Sequence, residues 1–438
     1  MKPHRLDRTL GWRAGLAAGL ALGGLLAAPS TSDAIATRTA IAQGAPDGAT
    51  ARYIVRSNDD QLLAVGRAAV ALGGRLVASQ TTLGTVVVDL PVGTANRLRA
   101  VAGVEQVMPD SKLQLQSLGE TLLGQEPTAV GPPSNLAALT GATTFWRNGY
   151  SGQGVDVALL DSGVLPVEGM MTANKLVIGP DLSFESQAPN LEHLDTFGHG
   201  THMAGIIAGR DSGLRVGKEH DVRQFAGVAP GARVVDVKVG AGDGGVDVSQ
   251  VVAAIDWVVA NRERHGVRVI NLSYGTASSQ PYQLDPLAHA VESAWHAGVV
   301  VVVAAGNDGE SGALPLTMPA ADPFVIAVGS SDHRGSADVA RWRVGAWTNA
   351  GTEARRPDVL APGKSVVSLR VPGSLADVEH PERPKVEAFV IEELGRDGAR
   401  LWRALLGLLP PQDWEVAYLH EDVIYRTVDD LPIEWRVG

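Results

Sequence analysis

Cysteine is absent from this chain of 438 residues, and aromatic residues are scarce, at nine Trp, six Tyr and six Phe. Without cysteine the chain forms no disulfides and has no thiol nucleophile. A chain of this length can bury at least one full-sized core, so folding requires neither a metal nor a disulfide. The 51 glycines favour tightly packed strands and turns over a coiled coil or a disordered chain.

Positive charge is also in deficit, since the formal net charge is -11 at pH 7. Binding to nucleic acid needs a basic face, and the sequence shows none. We therefore expect no nucleic-acid partner.

A long apolar run is missing at the N-terminus, where the apolar stretch Ala14 to Ala28 falls short of the ~20 residues of a membrane-spanning helix. The small residues Ala34-Ile35-Ala36 follow it, and four basic residues precede it: Lys2, Arg5, Arg8 and Arg13. This pattern is typical of a cleaved export signal, here residues 1–36, with a membrane anchor as the alternative. We predict a secreted protein with no stable membrane insertion after signal cleavage.

Residues 51–110 show the pattern of a small α+β unit. Leu62, Val65, Ala69 and Leu72 recur at helical spacing, and Gly73-Gly74 follows them. The complete prediction is β-α-β-β-α-β, with strands at Tyr53–Val55, Arg75–Ala78, Thr85–Leu90 and Val104–Met108 and helices at about Leu62–Leu72 and Thr94–Ala102. This is a ferredoxin-like pattern, which occurs in proteins of many functions and does not indicate any one of them.

A polar, proline-containing segment at 111–140 is predicted as a linker, and from residue 141 short apolar runs alternate with longer helical segments. That alternation predicts an α/β domain with a parallel sheet and helices on both faces. Strands are predicted at Val155–Leu160, Val234–Val239, Val267–Ser273, Val299–Ala305 and Val325–Ser330, and helices at Val248–Asn261 and Pro286–Ala297. In such sheets the active site lies beyond the carboxyl ends of the strands.

Three polar residues follow predicted strands or open a helix. Asp161 ends the first strand of the sheet, although Asp-Ser-Gly is also a common turn. His199 lies at a helix start between two glycines, where an imidazole can act as a general base. Zinc binding by His199 and His202 is the alternative, but no third ligand is evident. Asn307 follows the Val-rich strand, where its amide either stabilises a turn or donates to an oxyanion.

These three segments, in this order and with Gly227 to Ala232 and Asn271 to Gly275 between them, resemble the subtilisin family of serine proteases (peptidase S8). The resemblance implies that Asp161 orients the imidazole, that His199 is base and then acid, and that Asn307 is the oxyanion donor. It implies that a substrate peptide is clamped as an added strand, with binding residues Gly244, Gly245, Ser273, Tyr274 and Gly275. Residues 51–110 then resemble the family's propeptide. Calcium is common in the family, but no ligand loop can be assigned here.

The resemblance breaks after Pro362-Gly363, because no Gly-Thr-Ser-Met-Ala turn follows. Ser374 is the nearest imitation, but it lacks the preceding Thr, and Pro381 would interrupt its helix. Ser365 and Ser368 are predicted as strand or turn residues. The peptidase-like domain is thus predicted as incomplete over 141–376, with a tail of unknown nature at 384–438 that contains a helix near 398–409 and an alternating strand at Trp414, Val416 and Tyr418.

The sequence therefore supports a secreted subtilisin-like serine endopeptidase that acts on peptides or proteins and is bound by its own propeptide. The alternative is a peptide-binding protein that keeps the groove and performs no hydrolysis. A truncated product that folds poorly is a third interpretation.

Overall fold

A computed structural model describes residues 49–115, 135–172, 174–211, 213–214, 225–334, 336, 338–364 and 366–379, together with three short strands beyond residue 415. The chain divides into two compact units, Met1–Ala49 and Thr50–Gly438, and every element below belongs to the second. The predicted export signal lies outside the described residues, as does the predicted helix near 398–409. Within the described part of the chain, no helix is both long enough and apolar enough to cross a membrane.

Residues 50–109 form an antiparallel four-stranded sheet with two helices. The elements are β1 Thr50–Ser57, α1 Leu62–Ala71, β2 Arg75–Gln80, β3 Thr85–Pro91, α2 Ala95–Arg99 and β4 Val104–Pro109. The strand order is β2-β3-β1-β4, so the predicted β-α-β-β-α-β unit is present. Helix α1 packs through Leu62, Val65 and Ala69, and it ends where Gly73 takes a φ of 84°.

The larger part of the chain contains a mostly parallel sheet with helices. Its strands are β5 Lys112–Leu115, β6 Asp156–Asp161, β7 Leu176–Asp181, β8 Arg233–Lys238, β9 Val246–Asp247, β10 Val267–Leu272, β11 Tyr274–Gly275, β12 Val300–Ala304, β13 Ile326–Asp332, β14 Arg343–Val344, β15 Val359–Pro362 and β16 Val366–Ser368. Its helices are α3 Asn135–Leu139, α4 Ala142–Arg147, α5 His199–Ala208, α6 Val248–His265, α7 Pro286–His296 and α8 Leu375–Glu379.

The central sheet has the order β14-β13-β12-β10-β6-β8-β7, with β15 also paired to β13. All these pairings are parallel except that of β13 with β14. The five predicted strands are present within two residues of their predicted ends. Strands β7 and β15 were not predicted.

Both crossover helices begin at their predicted residues, but α6 continues four residues past its predicted end at Asn261, and α7 ends one residue before Ala297. Asp247 and Gln250 form a capping box at the start of α6, and Gly266 closes it at a φ of 68°. The Asp285 carboxylate accepts the Leu287 and Ala288 amides ahead of α7, with Pro286 in the first turn. Both helices bury one apolar face against the sheet, which fixes the strands whose carboxyl ends carry the polar residues.

One hydrophobic core extends from the small sheet of residues 50–109 into the larger sheet domain. Ile54, Leu83 and Val87 belong to the same buried cluster as the apolar faces of α6 and α7. Polar contacts reinforce this docking, since the Thr82 amide donates to Asp256 on α6 at 2.9 Å and the His289 ring on α7 lies 2.9 Å from the Leu83 carbonyl. The two parts are therefore packed together over residues 50–379.

Beyond residue 415 the structure contains β17 Val416–Leu419, β18 Val423–Arg426 and β19 Ile433–Trp435. Strand β17 coincides with part of the alternating stretch predicted as strand. It pairs with β18, and β19 pairs antiparallel with β16.

Candidate active site

Asp161 and His199 meet at the carboxyl edge of the central sheet. Asp161 is the last residue of β6, and His199 is the first residue of α5. The His199 Nδ1 lies 2.8 Å from Asp161 Oδ1, and the two side chains are 1% and 0% exposed. Asp161 Oδ1 also accepts the Ser162 amide at 2.8 Å. Because Nδ1 is committed to the carboxylate, a proton that His199 takes up in a reaction would go to Nε2.

The glycines on both sides of His199 allow close approach of other chain segments. Gly198 has a φ of 99°, and a Cβ there would lie 2.5 Å from Ser374 Oγ. A Cβ on Gly200 would lie 2.1 Å from the Gly163 carbonyl oxygen. A side chain at either position would push apart the elements that hold the imidazole.

A buried carboxylate, Asp195, connects the end of β6, which carries Asp161, to the start of α5, which carries His199. Its Oδ1 accepts the Ser162 hydroxyl at 2.8 Å and the Gly198 amide at 2.7 Å. Its Oδ2 accepts the Thr201 amide at 2.8 Å and the Thr201 hydroxyl at 2.6 Å. Burial raises the pKa of Asp195, while these hydrogen bonds oppose that shift. Asp195 thereby fixes the residue after Asp161 and the residue before His199 to one another.

A buried lysine lies behind the same turn. The Lys238 ammonium donates to the Ser162 carbonyl at 2.8 Å and the Gly240 carbonyl at 3.0 Å, and it contacts Glu185 Oε2 at 2.9 Å. Its side chain is 0% exposed. A fully buried ammonium is tolerated here because all three of its donors have partners.

Asp236 on β8 adds a further buried acid. Its Oδ2 accepts the Val164 amide at 3.2 Å. Burial raises the pKa of Asp236 well above its ordinary value, the negative charges of Asp195 and Asp161 raise it further, and Lys238 opposes the shift.

Asn307 lies in the turn after β12, at the same sheet edge as Asp161, with β10 between their strands. Asn349, which is 2% exposed, braces this turn. Its backbone amide donates to the Gly306 carbonyl at 3.0 Å, its Oδ1 accepts the Asp308 amide at 2.9 Å, and its Nδ2 donates to the Pro315 carbonyl. The backbone on both sides of Asn307 is therefore held by one residue.

The predicted peptide clamp holds a strand of the chain itself. Strand β5, from the segment predicted as linker, lies between β9 and β11 and is antiparallel to both. The paired residues are Lys112 with Asp247, Leu113 with Val246, Gln114 with Gly275 and Leu115 with Tyr274. Leu113 and Leu115 are buried. The predicted linker thus begins with a bound strand.

The five predicted clamp residues contribute differently. Tyr274 and Gly275 pair through their backbone with β5, and a Cβ on Gly244 would lie 3.5 Å from Leu115 Cβ. Gly245 donates its amide to Asp243 at 2.9 Å in the turn before β9, and Ser273 is buried just before β11. The Tyr274 ring is fully buried, and burial raises its pKa well above the ordinary value. The clamp contact of Tyr274 is therefore made by its backbone.

Ser374 lies directly before α8 and against Gly198. Its hydroxyl donates to the Val371 carbonyl at 2.8 Å, and the residue is 3% exposed. Main-chain bonds attach α8 to the segment before His199, from Leu375 to the Thr196 carbonyl and from Ala376 to the Phe197 carbonyl, both at 3.0 Å. Ser368 is a strand residue, as predicted, and donates to the His202 carbonyl at 2.7 Å. Ser365 and Pro381 lie outside the described residues.

His202 is fully buried within α5. Over the ranges that the structure describes, no group of three His, Asp or Glu side chains could hold a metal ion. The calcium implied by the resemblance stays a prediction without assigned ligands.

The sequence profile of the subtilase family, peptidase S8, matches residues 152–389, which is more than half of the chain. The chain belongs to the subtilase family. Serine protease AprX of Bacillus subtilis (strain 168) is 31% identical over 241 residues, which are 53% of this chain and 51% of that protein. Subtilisin Savinase of Lederbergia lenta is 34% identical over 229 residues, 52% of this chain and 70% of that protein. This subtilase therefore spans about half the length of AprX.

A solved structure shows the same fold. Fervidolysin from Fervidobacterium pennivorans, described as a keratinolytic enzyme related to subtilisin, superposes with a TM-score of 0.56 at 21% identity. The match covers 83% of this subtilase and 58% of fervidolysin. The predicted subtilisin-like α/β fold is thereby confirmed.

Sequence reasoning missed the residues that hold the site together, namely Asp195, Lys238, Glu185 and Asn349. One signal was available, because Asp236 and Lys238 alternate with valines in an apolar strand. Charged residues in such a strand indicate a buried polar network.

Proposed function

We propose that this exported chain binds extended peptide segments in a subtilisin-like endopeptidase site and does not hydrolyse them through Ser374. The observation that carries the proposal is the strand Lys112–Leu115, held between the two predicted clamp segments. Main-chain hydrogen bonds of this kind accept many sequences, and the burial of Leu113 and Leu115 favours apolar side chains at alternate positions. Unfolded or extended stretches of proteins are the ligands that suit such a clamp.

The same edge holds groups suited to acyl transfer. Asp161 would hold the His199 ring in one tautomer, and His199 would accept a proton at Nε2 and return it to the leaving amine. Asn307 would donate its side-chain amide to the oxyanion, on a turn that Asn349 keeps in place. These roles follow the family pattern and the carboxylate–imidazole contact of 2.8 Å.

The serine is the group that decides between binding and hydrolysis. A nucleophilic serine must give its proton to the imidazole, whereas the Ser374 hydroxyl donates to the Val371 carbonyl. Ser374 also precedes a helix of only five residues. We therefore expect Ser374 to have a structural role in this chain.

Hydrolysis with Ser374 as nucleophile is the second candidate function. It is favoured by one observation, the close packing of Ser374 against Gly198, the residue before His199. A rotation of the hydroxyl away from Val371 would be required to activate it.

A fluorophosphonate probe tests the two candidates, with mass spectrometry to locate any modified peptide. We expect no label on the folded chain beside an active subtilisin that reacts. A label on Ser374 that disappears in Ser374→Ala and in His199→Ala would overturn the proposal and show an active protease. Cooperative thermal unfolding of each variant checks that it is folded.

The binding half of the proposal has its own measurement. Leu113→Asp places a carboxylate in a site that is 0% exposed, so the strand should leave the clamp, whereas Lys112→Asp changes an exposed residue of the same strand. A fluorescent Lys-Leu-Gln-Leu peptide should bind the Leu113→Asp variant and show little binding to the wild type or to Lys112→Asp. Equal binding to all three proteins would contradict the clamp.

A further inference from the structure

A groove rich in arginine lies beside the candidate oxyanion turn. It has a volume of about 610 Å³ and is lined by Arg334, Ser336, Ala340, Arg341, Trp342 and Arg343. Three guanidinium groups and an indole within ten residues contrast with the net charge of -11 of the whole chain. Planar guanidinium groups are well suited to carboxylates, which they can bind through two parallel hydrogen bonds.

The backbone that carries these side chains is held in place by specific contacts. The Asp332 carboxylate accepts the Arg334 amide at 2.9 Å, and it contacts the Lys364 ammonium at 3.2 Å. Trp342 donates its indole N–H to the Ser336 carbonyl at 2.8 Å, and Arg343 pairs with Asp332 in the antiparallel ladder. The groove is thus assembled before any ligand arrives, which lowers the entropic cost of binding.

Positive charge in the groove is only partly compensated. Arg341 faces Asp338 at 4.0 Å, which is a weak and exposed ion pair. Within the part of the chain that the structure describes, neither Arg334 nor Arg343 has an ion-pair partner. Two guanidinium groups are therefore available to an external anion.

The chain segment that follows the groove is hydrogen-bonded to the turn that carries Asn307. Directly after it, the Gly345 amide donates to the Ser330 carbonyl at 2.8 Å, and the Trp347 carbonyl accepts the Gly309 amide at 2.7 Å. The groove also lies at the carboxyl end of β13, which is the sheet edge that carries Asp161 and Asn307. A ligand of the groove would thus lie along the same edge as the candidate site.

The direction of the clamped strand leads toward this edge. Strand β11 follows β10 directly and leads away from its carboxyl end, and β5 runs antiparallel to β11. A peptide that takes the place and direction of β5 therefore runs toward the carboxyl ends of β10 and β12. Its downstream residues leave the clamp at the edge where the groove lies.

We propose that this groove binds acidic side chains of a peptide that leaves the clamp across this edge, with Arg334 and Arg343 as the carboxylate-binding residues and Trp342 as an apolar wall. The inference deepens the proposed function, on which it rests, because it names acidic peptides as the preferred class of ligand. A nucleic acid or polyphosphate is disfavoured, since a strongly negative protein repels a long polyanion while a few carboxylates fit the groove.

Fluorescence anisotropy with two labelled octapeptides tests the proposal on the full-length Leu113→Asp chain, in which β5 should leave the clamp open, and the further substitutions below are made in that chain. One peptide carries two Glu near its C-terminus, and the other carries Gln at the same positions. The variant Arg334→Gln/Arg343→Gln removes the two uncompensated charges. The matched control Arg264→Gln/Arg268→Gln removes two exposed arginines near the amino end of β10, at the opposite edge.

We expect the Leu113→Asp chain to bind the Glu peptide about tenfold more tightly than the Gln peptide, as hydrogen bonds to charged groups allow. The preference should vanish in the groove variant and persist in the control. Equal loss in both variants, or no preference in the Leu113→Asp chain, would overturn the proposal, as would displacement of the Glu peptide by micromolar polyphosphate.

Failure of the proposed function gives a different result. The chain could bind the Glu peptide through the groove and also react at Ser374 with the fluorophosphonate. That result would support this inference and contradict the non-hydrolytic proposal. A Leu113→Asp variant that does not bind Lys-Leu-Gln-Leu, in a chain that retains the Glu preference, would contradict the clamp alone.

Discussion

The two halves of the candidate site are stabilised in different ways. Around Asp161 and His199 the side-chain hydrogen bonds join distant segments, such as Ser162 to Asp195 and Lys238 to Ser162. Around Ser374 they join near neighbours, with Arg370 and Gly373 bound to Asp377 and Ser374 bound to Val371. The base half is therefore fixed by the tertiary fold, while the serine half is a local turn attached by main-chain bonds to Thr196 and Phe197.

The side-chain hydrogen bonds given above for Asp161, His199 and Asp195 join residues 161–201. The segment after Gly363 reaches the base half through main-chain bonds and through the packing of Ser374 against Gly198. We therefore expect changes in the nucleophile segment to disturb the base less than changes around Asp195. Local and long-range stabilisation should respond differently to substitution.

The largest effect is expected for Asp195→Ala. The substitution leaves four buried donors without their acceptor, and each such loss costs about 1–3 kcal/mol before relaxation. We expect a loss of about 3–5 kcal/mol in the free energy of unfolding, measured by urea denaturation.

Asp338→Ala is the matched control, because Asp338 also accepts a backbone amide, from Ala340 at 3.1 Å, but is exposed. Its loss should cost about 1 kcal/mol or less. Equal effects of the two substitutions would mean that the network around Asp195 does not fix the base half.

A smaller effect is expected where the two halves touch. Gly198→Ala places a Cβ 2.5 Å from Ser374 Oγ at a φ of 99°, so we expect a loss of about 2–3 kcal/mol. Ser374→Gly should relieve the clash and leave only the backbone strain. A double-mutant cycle by urea denaturation should therefore give a coupling of at least ~1 kcal/mol. Additive effects would show that Ser374 does not pack against the base half in solution.

The effect expected for Asp236→Asn is the smallest of the three at pH 4, and it grows with pH. The pKa of Asp236 is raised by burial, so its contribution to stability is fully present below the unfolded pKa and is lost as pH rises through the folded pKa. The Asn side chain keeps the acceptor for the Val164 amide and does not ionise. We expect nearly equal unfolding free energies at pH 4 and a more stable variant at pH 8. A difference that stays constant across this range would mean that the pKa of Asp236 is the same in the folded and the unfolded state.

The sequence predicts the residues whose surroundings are local. Asp161 and His199 could be identified because an acid ends an apolar strand and a histidine opens a helix between glycines. The fold class followed from the alternation of short apolar runs with longer helical segments, and both crossover helices begin at their predicted residues. These features are set by residues within one turn or one strand.

Residues with distant partners could not be predicted in the same way. Asp195 resembles an ordinary turn residue until Ser162 and Thr201 are brought to it by the fold. Strand β5 alternates Lys and Gln with Leu, but it has only four residues and pairs with segments more than 100 positions away. The negative net charge gave no indication of the arginine groove. Arg334 comes close to Arg341 and Arg343 through the pairing of β13 with β14, which the sequence did not predict.

Strand β5 also sets the conditions under which another peptide can enter the clamp. It is covalently part of the chain, so its effective concentration at the clamp is on the order of millimolar, as for short flexible tethers. A free peptide of equal intrinsic affinity must exceed that concentration to displace it, however long the incubation. Cutting the chain after Leu115 would change this competition from intramolecular to bimolecular, and dilution would then empty the clamp once residues 50–109 also leave the core that they share with α6 and α7.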